Sequence, residues 1–462
     1  MIDQLHTDPS MEEEPGKLHV VMLPWLAMGH LLPFFQLSKH LSAKGIRISF
    51  FSTPSNIHRL LSIPETLNPL LNFIPCSPPP INGAPSSTID NTIDLRSDAA
   101  RPLLQEAYAG FEHHLTSFLS DPSHPKPDWI IYDFGALNWA PSLASRFNVS
   151  SAYFCLINAA AVTFFIRAND FDSPETLTKV PDSIPFPTTV AFRPFEARQM
   201  CSVLPKKTDQ TESKPRSSSQ LTLIRTCKEF EEKWVDLLGN DGYLPVGFLL
   251  PSIDKAEESE AWMRICEWLD EQKEHSVIYA AFGSEVILTT EQIDEIALGF
   301  EKSGLPFVWV LRMGSPPQGF EERIAGRGLV WRGWVPQARL LAHRAVGGFL
   351  THGGWSSVVE GMVVGAAMVI LPMQFDQGLT ARHLAESGYA VEVARNDEDG
   401  SFSAEEIARK LRMVMVEEEG EELRKNARKG KEIFGSQKLQ EEYITELVKI
   451  LLQKRTMVSE SV

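Results

Sequence analysis

The segment WVPQARLLAHRAVGGFLTHGGWSSVVEGMVVGAAMVILPMQFDQ, Trp334 to Gln377, constrains this chain more than any other. Its apolar runs and breakers predict a turn, a helix, a strand at Val346–Leu350, a loop, a helix at Trp355–Val364 and a second strand at Met368–Leu371. Successive strands joined through a helix lie parallel, and ligands of parallel sheets gather at the carboxyl ends of strands. The loop Thr351-His352-Gly353-Gly354 carries little bulk, so a ligand can approach its backbone. The free N–H groups and dipole of the following helix favour an anion there. His352, Ser356 and Ser357 add hydrogen-bond donors at the same end. Glu360, one turn on, is placed for a neutral polar group such as ribose hydroxyls, and the second strand delivers Asp376 and Gln377 to the same side. Phosphate donors, a ribose acceptor and a carboxylate–amide pair together suggest a nucleotide-sugar site.

The rest of the chain must supply a setting for that site. At 462 residues it exceeds one ordinary core, so two domains are expected. A formal charge of −16 with no basic stripe argues against nucleic acid, yet leaves a local anion site open, because oriented dipoles act at short range. Five scattered cysteines lack metal spacing and point to a reduced compartment. The acidic start shows no leader pattern, and no apolar run reaches the roughly 18 residues of a membrane span. The expectation is a cytoplasmic monomer with no transmembrane segment.

In order, Leu18–Leu23 reads as a buried strand. A helix follows to about Lys44, with Gly45 placed as its C-terminal cap, and Ile46–Ser52 is the next strand. This βαβ opening lacks GxGxxG, so a dinucleotide cofactor is not expected. His30 falls at the start of the helix. It is either a capping or packing histidine or a base kept neutral by the helix dipole. Asp133, at the end of a strand Asp128–Tyr132, is either the N-cap of a helix Leu137–Arg146 or the partner that orients and charge-stabilises His30. Residues 78–91 and Lys206–Gln220 read as loops, Leu103–Leu119 as helical, and Phe154–Ile166 as an apolar core helix or pocket wall. Gly, Pro and acidic residues near Gly239–Ser259 mark a domain boundary.

Strands Ser276–Phe282, Phe307–Leu311 and Gly328–Arg332 then alternate with helices, one of them starting at a Thr289/Gln292 capping box. A second doubly wound α/β unit is the result. Ser284, at a strand end, is a turn serine or a phosphate donor. The final helix, about Ser436–Gln453, aligns Leu439, Tyr443, Leu447 and Ile450 on one face. The divisions expected are 1–250, 251–435 and a helix-bearing 436–462.

The Trp334–Gln377 segment closely resembles the donor-binding signature of plant family-1 UDP-glycosyltransferases, with Pro-Gln, His-x-Gly-Trp, Ser-x-x-Glu and a closing Asp-Gln. Ala-Met-Gly-His at Ala27–His30 and Asp133 resemble that family's catalytic histidine motif and its activating aspartate. The resemblance spans nearly the whole chain and implies a GT-B architecture, two Rossmann-like domains facing a cleft, with the last helix crossing back to the first domain. It implies that Trp334 stacks the uracil and the Val335 backbone meets its edge. Gln337 and Glu360 would hold the ribose. Ser284, His352, Gly354, Ser356 and Ser357 would surround the diphosphate, while Trp355, Asp376 and Gln377 would read the sugar. His30 would deprotonate an acceptor hydroxyl in an inverting displacement that uses no metal and no resident cofactor, only a UDP-sugar and a small-molecule acceptor. The D-x-D pattern Asp397-Glu398-Asp399 is expected to be a solvated acidic turn.

The chain departs from the family pattern at Gly353, where Cys or Ser is common, at Ser356, where Asn is usual, and at Ala367, often Pro. Gln377 resembles glucose-using members without excluding rhamnose or xylose donors. Trp25, Ser38–Leu41, Ser52–Asn56 and Gly283–Val286 look like the branch that extends sugars already on flavonoids or terpenoids, with transfer to aglycones the alternative. Two other classes fare worse. A nicotinamide oxidoreductase lacks its glycine fingerprint. A serine hydrolase needs G-x-S-x-G, which Gly354–Val358 fails at its last position. A non-catalytic UDP-sugar sensor stays open, and loss of turnover in His30→Ala with UDP binding intact counts against it.

Overall fold

The computed structural model describes residues 18–61, 69–77, 90–95, 101–168, 173–203, 221–239, 242–251 and 260–459. The expected loop at 78–91, apart from its last two residues, the one at Lys206–Gln220 and about half of the Gly239–Ser259 boundary lie outside them. Thirteen described strands form two parallel sheets. The first contains β1 (His19–Leu23), β2 (Arg47–Ser52), β3 (Leu71–Pro75), β4 (Trp129–Tyr132), β5 (Ser150–Cys155), β6 (Leu221–Ile224) and β7 (Tyr243–Pro245), in the order β3-β2-β1-β4-β5-β6-β7. The second contains β8 (Val277–Ala281), β9 (Phe307–Val310), β10 (Gly328–Trp331), β11 (Val346–Thr351), β12 (Ala367–Ile370) and β13 (Ala390–Glu392), in the order β10-β9-β8-β11-β12-β13. Both are Rossmann-like α/β units, as expected.

Each sheet reverses its winding direction once. In the first the reversal falls between β1 and β4, where Met22 lies beside Ile131. In the second it falls between β8 and β11, where Tyr279 lies beside Phe349. Chains leave a sheet on opposite faces at such a reversal, which opens a crevice at the carboxyl ends. Both faces are covered, so most strands read as near-continuous apolar runs rather than as a polar–apolar alternation. In β8, Tyr279 packs on one face with Phe349 and Met368, while Ile278 packs on the other with Trp309 and Leu350.

Local signals fix several element ends. The helix Met28–Ala43 is followed by Gly45 at φ +83°, the left-handed turn expected of a residue without a β-carbon. Thr289 and Gln292 form the capping box reciprocally. Other expectations need correction. The helical stretch Leu103–Leu119 is two helices, Arg101–Ala109 and Phe111–Ser120, separated at Gly110, where backbone freedom opposes helix continuation. Phe154–Ile166 is not one helix. Its first residues finish β5, and a helix Ala159–Arg167 begins after Asn158, whose Oδ1 accepts from the Ala161 N–H at 2.8 Å. The polar start of β5, Ser150-Ser151, hid the strand. Leu137–Arg146 becomes a 3₁₀ turn at Phe134–Ala136 and a helix at Ala140–Arg146.

The last helix, Gln437–Ser459, returns to the first sheet, but on a face rotated from the expected one. Ile444, Leu447 and Leu451 are fully buried among Val20, Phe34 and Trp129, whereas Leu439, Tyr443 and Ile450 are only half-buried. Gln440 sits on the buried face because its amide donates to Val246 O and accepts from Leu249 N–H. Trp129 donates its indole N–H to Leu451 O at 3.1 Å. Truncation of the fully buried Leu447 to Ala should therefore cost about 2–5 kcal/mol in denaturant unfolding. The same truncation at half-buried Ile450 should cost clearly less.

Candidate active site

The candidate base stands on β1 and β4. The chain leaves β1 through Pro24–Ala27, and His30 occupies the first turn of the helix Met28–Ala43. Asp133 follows β4, 1% exposed. Its Oδ2 accepts from His30 Nδ1 at 2.8 Å and from the Trp25 N–H at 3.0 Å, and its Oδ1 accepts from the Phe134 N–H at 2.7 Å. One carboxylate thus hydrogen-bonds the histidine and caps the 3₁₀ turn Phe134–Ala136, whereas the helix expected behind it has Trp139 at its N-cap. An ionised carboxylate only accepts, so Nδ1 carries the proton and Nε2 offers its lone pair to the cleft.

The expected neutral bias of His30 is reversed. Burial favours the uncharged ring, but the charge and hydrogen bond of Asp133, helped by Glu285 and Asp376, outweigh it and raise the pKa above its ordinary value. The helix dipole is weaker than an adjacent carboxylate.

The second sheet builds the facing wall. After β11, Gly353 adopts φ +86°, and a β-carbon there would lie 2.7 Å from Ile370, which accounts for glycine where relatives of the resembled family carry Cys or Ser. Beta-carbons on Gly283 or Gly354 would lie 2.6 and 2.4 Å from the His352 ring, so two backbones close on that imidazole. Burial lowers the His352 pKa to about 4, and the ring is neutral. Ser284 follows β8 beside it. Helix Trp355–Val364 presents its amino end to the cleft.

The side chains at that end are already engaged with one another. Gln337 donates from Nε2 to Glu360 Oε2 at 2.7 Å and to Ser357 Oγ at 3.1 Å, and accepts from Tyr279 OH at 3.1 Å. Burial raises the Glu360 pKa against the opposing pull of Gln337 and Arg225. Gln377 is 5% exposed and spends Oε1 on the Met373 and Gln374 N–H groups, both at 2.9 Å, which leaves its NH₂ as donor. Burial lifts the Asp376 pKa to about 6. Phe375, just before it, holds φ +55°, a conformation costly for a bulky residue. Trp334 is 72% exposed and offers a ring face, whereas the Val335 side chain is in the core.

Two residues differ from what the resemblance implied. The Trp355 indole, 3% exposed, lies beside Phe230 and Phe248 and donates to Arg225 O at 2.6 Å, so only its backbone N–H is left for a ligand. Ser356 Oγ donates to Gly29 O at 3.0 Å and accepts from Arg225 Nη1 at 2.8 Å. Arg225 itself, just after β6, and Glu285, which acts on His30 and Asp376, were missed as site residues. Arg225 lies 131 positions before Ser356, and no local pattern links them. Among the described residues, no three His, Cys, Asp or Glu side chains form a group that could hold a metal ion. No described helix is long and apolar enough to cross a membrane.

Two parallel Rossmann-like sheets turn their carboxyl ends to a shared cleft, with a His–Asp pair on one side and an anion-favouring helix end on the other. That is the GT-B arrangement of a sugar-nucleotide-dependent transferase. A family model described as UDP-glucoronosyl and UDP-glucosyl transferase matches residues 199–429. UDP-glycosyltransferase 91C1 of Arabidopsis thaliana is 40% identical, across 95% of this chain and 97% of the relative. Anthocyanidin-3-O-glucoside rhamnosyltransferase of Petunia hybrida is 33% identical, across 95% and 97%. The solved structure of Arabidopsis thaliana UGT89C1 complexed with UDP-L-rhamnose superposes with a TM-score of 0.74 at 26% identity, across 95% of this chain and 99% of that one. The chain belongs to the plant UDP-glycosyltransferase family and is a glycosyltransferase that uses a UDP-sugar.

The raised His30 pKa has a measurable consequence. Replacing Asp133 by Asn should drop the imidazole pKa below the ordinary histidine value, since burial then acts with less opposition, and histidine NMR titration would show it. Because the folded-state value is raised, the pair stabilises the fold fully below the unfolded pKa of about 6.5 and loses that contribution as pH rises through the folded value.

Proposed function

We propose that this enzyme transfers a sugar from its UDP donor, with inversion, to a hydroxyl on the sugar of a small-molecule glycoside such as a flavonoid or terpenoid glycoside. The carrying observation is the 3.0 Å hydrogen bond from Ser356 Oγ to Gly29 O, which ties the anion-favouring helix end to the residue preceding His30. Base and leaving-group site are thereby neighbours. His30 Nε2 takes the acceptor proton as the acceptor oxygen attacks the anomeric carbon, and Asp133 stabilises the imidazolium. The anomeric bond to the diphosphate breaks on the opposite face. UDP departs with its charge met by the helix end and by Ser284, His352, Gly354 and Ser357. Trp334 stacks the uracil, the Val335 backbone meets its edge and Gln337 with Glu360 holds the ribose. The Trp355 N–H, Asp376 and Gln377 read the sugar. The work divides between an acceptor domain at 1–250, a donor domain at 251–435 and a final helix within 436–462, in a cytoplasmic monomer that uses no metal.

UDP-glucose is the first donor reading, because Gln377 closes the segment as in glucose-using members of the resembled family. UDP-rhamnose is the second, favoured by the rhamnosyltransferase among the relatives and by the UDP-L-rhamnose complex of a structural neighbour.

UDP release measured with each donor against aglycones and their monoglucosides separates these readings. Release with glucosides alone supports extension of an existing sugar, and release with aglycones alone overturns it. His30→Ala should lower turnover about 10²–10⁴-fold while UDP binding persists. Since the neutral ring is the base, kcat/KM should fall on the acid side with an apparent pKa above the usual 6.5. Asp133→Asn should move that limb to lower pH while reducing its plateau.

A further inference from the structure

Arg225 is a buried cation that, among the described residues, forms no ion pair with a carboxylate. It is 3% exposed, its Nε donates to Phe248 O at 2.8 Å and its Nη1 to Ser356 Oγ at 2.8 Å. Burial pulls its pKa down to about 10, so it stays charged at neutral pH. Among the described residues the one charge acting to raise it is Glu360, and neither Glu360 nor any other carboxylate there comes within ion-pair distance. Isolated buried charges are costly unless a counter-charge arrives.

Ser356 shows where that counter-charge would lie. A hydroxyl has one proton, and that proton is given to Gly29 O. One lone pair takes the Arg225 hydrogen bond. The Ser356 side chain therefore has no donor left for a phosphate. The place where Asn is usual in the resembled family holds instead a serine clamped between a guanidinium from one sheet and the His30 loop.

We infer that Arg225 is a positioning residue for the donor's diphosphate. It brings a fixed positive charge to the amino end of helix Trp355–Val364 and, through Ser356, sets the Gly29–His30 turn against that end. This rests on the reading of that helix end as the diphosphate site. The charge crosses from the first sheet to the second, so the diphosphate would be held by both halves of the molecule. Arg225 adds the electrostatic part that the backbone N–H groups and the neutral His352 do not supply.

The test is calorimetric binding of UDP and of uridine, which lacks the diphosphate, to the full-length enzyme and to Arg225→Gln, Arg225→Lys and Ser356→Ala, with steady-state transfer alongside. Arg225→Gln should weaken UDP about tenfold or more and leave uridine within about twofold, because only the charge-dependent part is lost. Arg225→Lys keeps the charge without the planar fork, so UDP binding should largely survive while kcat falls. Ser356→Ala should lower kcat more than UDP affinity, since it frees the Gly29–His30 turn but leaves the guanidinium. Equal weakening of UDP and uridine, or no weakening of either, by Arg225→Gln would mark a purely structural residue and overturn the inference. Should Arg225→Gln not fold, Arg225→Lys decides: parallel losses of UDP and uridine overturn it, and a kcat loss with UDP retained supports it. A parent enzyme that binds neither ligand would sink the donor-site reading itself. A parent that binds both isolates any failure to Arg225.

Discussion

One buried carboxylate organises the first half of the active site. Asp133 accepts from the Trp25 N–H, the Phe134 N–H and the His30 ring, and each of these donors lies on a different piece of chain. A charge removed from water must have its lone pairs filled, so the three pieces cannot shift independently. Packing reinforces the constraint. A β-carbon on Gly135 would stand 2.6 Å from the Trp25 ring, and the Tyr108 hydroxyl donates to Leu23 O at 3.1 Å, just below the loop. The catalytic candidate is thus held by a loop whose backbone and aromatic contacts leave one arrangement.

The second half depends on contacts that cross between the sheets. Trp355 and Ser356 both bond to Arg225, and Asn158 donates to Thr380 Oγ1 at 2.8 Å. Below them runs a chain of buried or half-buried ion pairs. Glu196 meets Arg382, Arg382 meets Glu392 at 2.9 Å, and Glu392 meets Arg193 at 3.0 Å. His383 lies 3.2 Å from Glu231. Burial would lower its pKa, yet Glu231 and Glu386 lift it to about 9, so it is cationic at neutral pH. Such pairs add little stability over apolar packing, but they are directional, and direction is what a cleft between two units requires.

Fold class was legible because it is written in short-range patterns. Apolar runs ended by glycines, the capping box at Thr289 and the left-handed Gly45 each act within a few residues, and their alternation leaves few topologies. The edge strands β3, β7 and β13 and the polar-fronted β5 escaped notice for the converse reason. Their pairing partners, rather than their own residues, make them strands. The last helix was found and its face misjudged, since periodicity offers several apolar stripes and the core of the first sheet selects one.

The donor segment and the His–Asp pair could be read from residues because their chemistry is carried by a motif of fixed spacing. The sequence by itself determined two Rossmann-like units, an anion-favouring helix end, a candidate base and a candidate partner for it. Only the tertiary structure decided that His30 is more basic than its helix position suggests, that the Trp355 indole belongs to the core, that the Ser356 proton is already spent and that Arg225 arrives from the other sheet. These depend on burial and on contacts between residues more than a hundred positions apart. Charge and hydrogen-bond energies follow distance in space, to which distance along the chain is no guide.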